Sequence, residues 1–321
     1  MSEAAARSGV HRLLQSGEFV VTAELATIDS ADPVAVGRAA ATLRGSVDAV
    51  NCTDNSAAHT HLSPLAAARL LIEGGVEPIL QLACRDRNRL ALQADLLGAA
   101  ALGVRNIVCM TGDDVTAGDH PEAKPIFDID AVHLLRIARM MRDEGRYLSG
   151  RPLVDPPEYL IGAVENPFAP PLDFRPMRLG TKVEAGAEFI QTQICFNLDT
   201  LRLFMARCAD LGLLEHVWVL VGVFVPASAG SVRYLRDQVP GVDVPAHVIE
   251  RMEAAAPQAQ RDEGVRLALD LIEQVRAIPG TSGIHLMTIN NEHAIERVVE
   301  AAGLLPRPVP VRPPASAADP N

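Results

Sequence analysis

The sequence predicts an α/β chain closed into a single (β/α)8 TIM barrel, and three observations lead there. Eight short apolar runs recur along the 321 residues, each ended by turn or polar residues. Segments with helical periodicity separate them. The runs are apolar on both alternating faces, as in parallel strands buried on two sides, and eight βα units suit a closed barrel better than an open doubly wound sheet.

The first run, FVVTAEL at 19–25, follows an N-terminal extension at 1–18. Two dipeptides, Asp32-Pro33 and Ser63-Pro64, place a capping side chain before a proline at the first helical position, so helices are expected to begin there. VDAVNCTD (47–54) and EPILQLAC (77–84) supply strands two and three. The next helix is expected to present Leu90, Ala94, Leu97 and Ala101 on one face. Strands four to six are NIVCMTG (106–112), YLIGAVEN (159–166) and FIQTQICF (189–196), and a helix with Leu201, Phe204, Met205 and Cys208 on its apolar stripe follows. After VWVLVGVFV (217–225) the chain carries extra material, expected to form one or two helices over one end of the barrel before the long helix with Val265, Ala268, Leu269 and Ile272. GIHLMTIN (283–290) closes the set. The barrel is thus expected over 19–305, and the proline-rich segment 306–321 is read as a disordered tail without chemistry.

Composition narrows the function. A formal charge of −11 with scattered Lys and Arg argues against a nucleic-acid partner. No apolar run reaches the ~20 residues of a membrane span, and the N-terminus lacks a secretory apolar core, so a cytoplasmic protein is expected. Four of the five cysteines, Cys52, Cys84, Cys109 and Cys195, fall inside strand runs and read as core thiols. The HTH at 59–61 has no third ligand in evidence, so no metal is expected. Neither G-x-G-x-x-G after the first strand nor a P-loop is present.

Barrel chemistry sits at strand C-termini, which makes polar residues there the candidates. Glu24 ends the first strand; Asn51, Thr53 and Asp54 close the second; Gln81 and Arg85-Asp86 the third. Thr111, Gly112 and Asp113 close the fourth, Glu165 and Asn166 the fifth, Gln191 and Gln193 lie in the sixth, and Thr288 and Asn290 end the eighth. Gln191, Thr22 and Asn51 read first as a polar layer satisfied internally, and His285 as a satisfied core histidine. Glu24 and Asp113 read instead as chemistry, because two carboxylates at one mouth perturb each other and suit acid–base work.

These strand ends resemble the methylenetetrahydrofolate reductase family, a (β/α)8 barrel family, over about 19–304. The family's general-acid FEF is similar to AEL with Glu24, its RGD to TGD with Asp113, its K-V-x-A-G-A…I-T-Q-x-x-F to KVEAGAEFIQTQICF with Lys182, Gln193 and Phe196, and its Y-T-L-N to MTIN with Thr288 and Asn290. The resemblance implies reduction of 5,10-methylenetetrahydrofolate to 5-methyltetrahydrofolate. Glu24 would protonate the departing N10 from a dry site that raises its pKa, and Asp113, Gln193, Phe224 and Asn290 would hold the folate. Flavin-holding relatives carry a histidine, arginine, tyrosine and arginine where this chain has Gln81, Thr111, Val164 and Thr181. The family's substrate-stacking phenylalanine after the seventh strand is replaced within PASAGS. These departures imply a protein without FAD, taking hydride directly from NADH or NADPH held by Asn51, Thr53, Asn55, Gln81, Thr111 and Lys182. A flavin-dependent version of the reaction, a pterin-binding methyltransferase and a non-catalytic subunit are the alternatives; a homo-oligomer is compatible with all of them.

Overall fold

The computed structural model describes residues 6–239 and 241–309. Eight parallel strands close into a barrel in sequence order: β1 (Val20–Glu24), β2 (Ala49–Cys52), β3 (Pro78–Ala83), β4 (Asn106–Met110), β5 (Leu160–Glu165), β6 (Phe189–Ile194), β7 (Trp218–Phe224) and β8 (Thr281–Met287). β8 returns to β1 with Thr22 level with His285. Every strand predicted from the sequence is present.

The helices are α1 (Gly9–Gln15), α2 (Pro33–Leu43), α3 (Pro64–Glu73), α4 (Arg89–Ala101), α5 (Ala131–Asp143), α6 (Arg175–Ala185), α7 (Leu198–Asp210), α8 (Ala229–Gln238), α9 (Ala246–Ala254), α10 (Gln260–Arg276) and α11 (His293–Ala301). Asp32 caps α2 by accepting from the Val34 N–H at 3.0 Å, as its position before Pro33 requires. Ser63 makes no such bond, so α3 starts on its proline alone. On α4 the predicted stripe is the wrong one: Leu90 is 75% exposed, while Leu92, Leu96 and Ala99 are buried. An alanine-rich helix carries two apolar stripes, and packing selects the one with the larger leucines. α7 buries the stripe expected of it, and α10 buries Val265, Ala268 and Ile272 of its expected stripe, with Leu269 only partly covered.

The extra material after β7 forms α8 and α9. The connection between them reaches the loops after β5 and β6, where Gly241 O accepts from Asn166 Nδ2 at 2.9 Å and Asp243 from Asn197 Nδ2 at 2.7 Å.

Two features at the barrel floor were not read from the sequence. α1 lies within the predicted N-terminal extension, and its Val10, Leu13 and Leu14 pack against the inward-facing Val20, Ala49, Ile79, Val108, Leu160, Phe189 and Leu220 as one apolar plug. Gly162 makes room there for the Phe189 ring, since a Cβ on it would lie 2.3 Å from that ring. Arg307, expected in the unpacked tail, is instead held: it donates to Asp48 at 2.6 and 3.0 Å and to the Phe19 carbonyl at 2.8 Å, with 8% of its side chain exposed. Residues 310–321 lie outside the described residues. Among those described, no helix is long and apolar enough to cross a membrane.

Candidate active site

Above the plug the barrel interior turns polar. Thr22, Asn51, Gln191 and His285 point inward from β1, β2, β6 and β8, all nearly fully buried. Asn51 and Gln191 exchange two side-chain bonds of 2.7 and 3.0 Å. Thr22 Oγ1 lies 2.9 Å from His285 Nδ1. The layer satisfies itself, as buried polar groups must.

The strand C-termini open over this layer into a cavity of about 350 Å³. Glu24, Thr53, Gln81, Asp113, Glu165, Gln193 and His285 are among its walls. Glu24 stands one inward position above Thr22, its Oε2 3.8 Å from His285 Nε2 and its side chain 33% exposed. The protein alone therefore does not supply the dry surroundings expected for this carboxyl. Gln193 has its Oε1 committed to the Ile194 N–H at 2.9 Å, which turns its amide nitrogen toward a ligand as a donor only.

Asp113 has a second task. Its Oδ2 accepts from the Ala57 N–H at 3.1 Å. That residue belongs to a turn in which Asn55, Ala57 and Ala58 all have positive φ, at 50°, 52° and 59°. Such backbone is held only where neighbours over-determine it. Asn55 Oδ1 accepts from His61 N at 3.1 Å, Arg85 donates to the Asn55 carbonyl at 3.2 Å, and Gly118 lets the Ala58 carbonyl approach where any Cβ would collide.

The cations of the mouth are largely committed. Lys182 Nζ lies 2.6 Å from Glu165 Oε2 and 2.5 Å from the Val164 carbonyl, with 5% and 1% of the two side chains exposed. Burial pulls the Lys182 ammonium below its usual pKa, partly offset by Glu165. Arg85 is forked onto Asp86, and Arg175 donates to the Ala169 and Pro170 carbonyls. Asp54 pairs with Arg87 and accepts the Ala83 N–H at 2.7 Å, yet burial holds its carboxyl above the ordinary range. Arg178 lines the cavity with no hydrogen bond or ion pair among the described residues.

The structure thus gathers Glu24, Asp113, Gln193, Thr53, Gln81 and Lys182 in one cavity but places the other predicted site residues elsewhere. Asn51 is fully buried and bonded to Gln191, so it has no surface for a nucleotide. Lys182 faces Glu165 rather than a diphosphate. Thr111 accepts from the Ala131 N–H at 3.3 Å and opens on a separate cleft of about 730 Å³ beside α5. Phe224 is 1% exposed within the core, where it cannot stack on a ligand without moving. Asn290 is exposed at φ 52°, outside the cavity walls. The sequence understated His285: a histidine in an apolar strand carries no sign that Glu24 will stand beside it. All five cysteines are buried, and burial pushes Cys84, Cys195 and Cys208 up to about 12. Among the described residues no cluster of three or more His, Cys, Asp and Glu side chains is arranged to hold a metal.

A closed (β/α)8 barrel with acids, amides and a histidine converging at the strand C-termini defines a barrel whose chemistry is built into its mouth. The chain belongs to the methylenetetrahydrofolate reductase family, whose model matches residues 10–303. It is 25% identical over 241 residues to a probable methylenetetrahydrofolate reductase (NADPH) of Caenorhabditis elegans, covering 74% of this chain and 34% of that one. It is 29% identical over 236 residues to methylenetetrahydrofolate reductase 2 of Schizosaccharomyces pombe, covering 70% and 36%. The chain thus spans about a third of the length of these curated relatives. Among solved structures, a Clostridium thermocellum protein that binds two copies of 5-methyl-5,6,7,8-tetrahydrofolic acid superposes with a TM-score of 0.61 at 11% identity, covering 93% of this chain and all of that one. That likeness is one of fold.

Proposed function

We propose that this chain reduces 5,10-methylenetetrahydrofolate to 5-methyltetrahydrofolate, with hydride passing directly from NADH or NADPH. The observation that carries the reading is Glu24, an acid held at the strand end of a cavity it shares with Asp113 and Gln193, in a chain of this family. The reductase names of the curated relatives and the methyltetrahydrofolate bound by the structural neighbour support the substrate class.

Glu24 donates its proton to N10 of the substrate; the bond from N10 to the methylene carbon breaks, and N5 and that carbon become an iminium. Hydride from the nicotinamide C4 then adds to the carbon, giving the N5-methyl group and the oxidised nucleotide. Asp113 accepts from the pterin N–H groups through Oδ1, the oxygen not engaged by Ala57, and Gln193 donates through its amide nitrogen. Thr53 and Gln81 face the nucleotide, and Arg178 receives its diphosphate.

A resident flavin dinucleotide fits these walls poorly. Lys182, Arg85 and Arg175 are held by protein partners, which leaves Arg178 for the diphosphate of one exchangeable nucleotide, and Val164 stands where a resident isoalloxazine ring would need an aromatic wall. The test is oxidation of NADH and NADPH with methylenetetrahydrofolate, with and without added flavin, beside the absorbance spectrum of the fresh protein. Turnover by colourless protein is expected. Stoichiometric flavin bands, or activity only on adding flavin, would overturn direct transfer; no turnover in any arm would overturn the reductase reading.

A further inference from the structure

We propose that His285 is a positioning residue for Glu24, fixing which oxygen of the carboxyl carries the transferable proton; the inference rests on the reading of Glu24 as the acid. The argument begins with the histidine's other nitrogen. Nδ1 has two polar neighbours, Thr22 Oγ1 at 2.9 Å and Gln191 Nε2 at 3.4 Å. Gln191 Nε2 is an amide nitrogen and only donates. In this orientation Gln191 and Asn51 exchange paired bonds, Gln191 Oε1 accepting and Nε2 donating. The Thr22 hydroxyl has one other acceptor in reach, the Ile284 carbonyl at 3.4 Å, a poorer contact than Nδ1. The hydrogen left on Gln191 Nε2 is shared between Nδ1 and Thr22 Oγ1, each at 3.4 Å, and the closer Thr22 hydroxyl is directed at Nδ1, so Nδ1 is taken as the acceptor. In the neutral ring the proton is then on Nε2.

Nε2 faces Glu24 Oε2 at 3.8 Å. That separation is too long for a hydrogen bond, and contacts of this kind tighten when charge develops. An N–H facing Oε2 disfavours a proton on that oxygen and leaves Oε1 as the donor. When Glu24 gives up its proton, the O–H bond breaks, the N10–H bond forms, and the carbon–N10 bond opens. The carboxylate left behind then has Oε2 opposite an N–H already oriented to meet it. Three residues on three other strands hold that N–H in place: Thr22, Asn51 and Gln191 from β1, β2 and β6. The polar layer beneath the cavity thereby acts on the reaction without touching substrate.

Side-chain geometry supplies the test. In His285→Asn the amide reaches only the Nδ1 position and keeps the Thr22 contact; in His285→Gln it reaches the Nε2 position and restores a donor to Glu24. We expect His285→Asn to lower kcat about tenfold or more with the folate KM within about twofold, and His285→Gln to stay within about threefold of the parent. In a Glu24→Gln background the Asn substitution should cost little further, since its effect passes through Glu24. Nitrogen-15 spectra of histidine-labelled parent, with His285 assigned by difference from the Asn variant, should show the Nε2–H tautomer. An Nδ1–H tautomer, an unchanged kcat in His285→Asn, or an equal loss in both backgrounds would overturn the proposal. Failure of the underlying reading shows separately, as a parent without reductase turnover or a Glu24→Gln variant that keeps it.

Discussion

Glu24 and Lys182 are both charged residues at the barrel mouth, and the structure gives them opposite kinds of work. Glu24 has a third of its side chain exposed and, among the described residues, no side-chain hydrogen bond, only His285 nearby. Glu24→Gln should leave thermal unfolding unchanged and lower turnover on the order of 10²-fold or more, as removal of a general acid does. Steady-state rates beside a melting curve check this. Lys182 is paired out of water with Glu165, so Lys182→Met strands a buried carboxylate and should lower unfolding stability by about 3–5 kcal/mol in urea titration. Pairing it with Glu165→Leu should recover most of that loss. Asp113→Ala and Gln193→Ala each remove one directional contact to the pterin and should raise the folate KM or lower kcat, while retention of both parent values would place the pterin elsewhere. Glu24, Asp113 and Gln193 were legible because polar residues at strand ends are anomalous. Lys182's partner was not, since Glu165 stands 17 residues earlier at the end of the preceding strand, a separation that leaves no local pattern.

Among the elements, strands were legible and helix surfaces less so. A buried strand is a continuous apolar run with no choice of face, whereas α4 offers two stripes and only its neighbours decide between them. α1 escaped notice because seven residues give too short a period to recognise, yet it closes the barrel floor. His11 on this helix packs edge-on to Trp218, its ring centroid 5.6 Å away, and burial lowers its pKa from 6.5 to about 4. The folded protein therefore binds a proton there less readily than the unfolded chain. Stability contributed by this site is complete above pH 6.5 and declines as pH falls toward 4, by at most about 3 kcal/mol. His11→Phe keeps an aromatic edge on Trp218 without a titrating group. Urea unfolding at pH 7.5 and pH 5 should show a smaller acid loss for the variant than for the parent.

For the molecule as a whole, segments near both ends of the described chain pack at the floor. α1 enters the apolar plug, and Arg307 grips Asp48 and the Phe19 carbonyl beside the start of β1. Asp48 is 3% exposed and also accepts the Val21 N–H at 2.7 Å, so Arg307→Met leaves a buried carboxylate short of its cation and should cost about 3 kcal/mol or more, read by the same urea titration. The proline-rich composition past 305 concealed this, because one arginine held by a partner some 260 positions earlier has no local pattern. The clasp also separates what holds the barrel from what works in it. Because α1 and Arg307 both act at the floor, on the side away from the strand C-termini, a change at either should show as lost stability with the mouth unaltered.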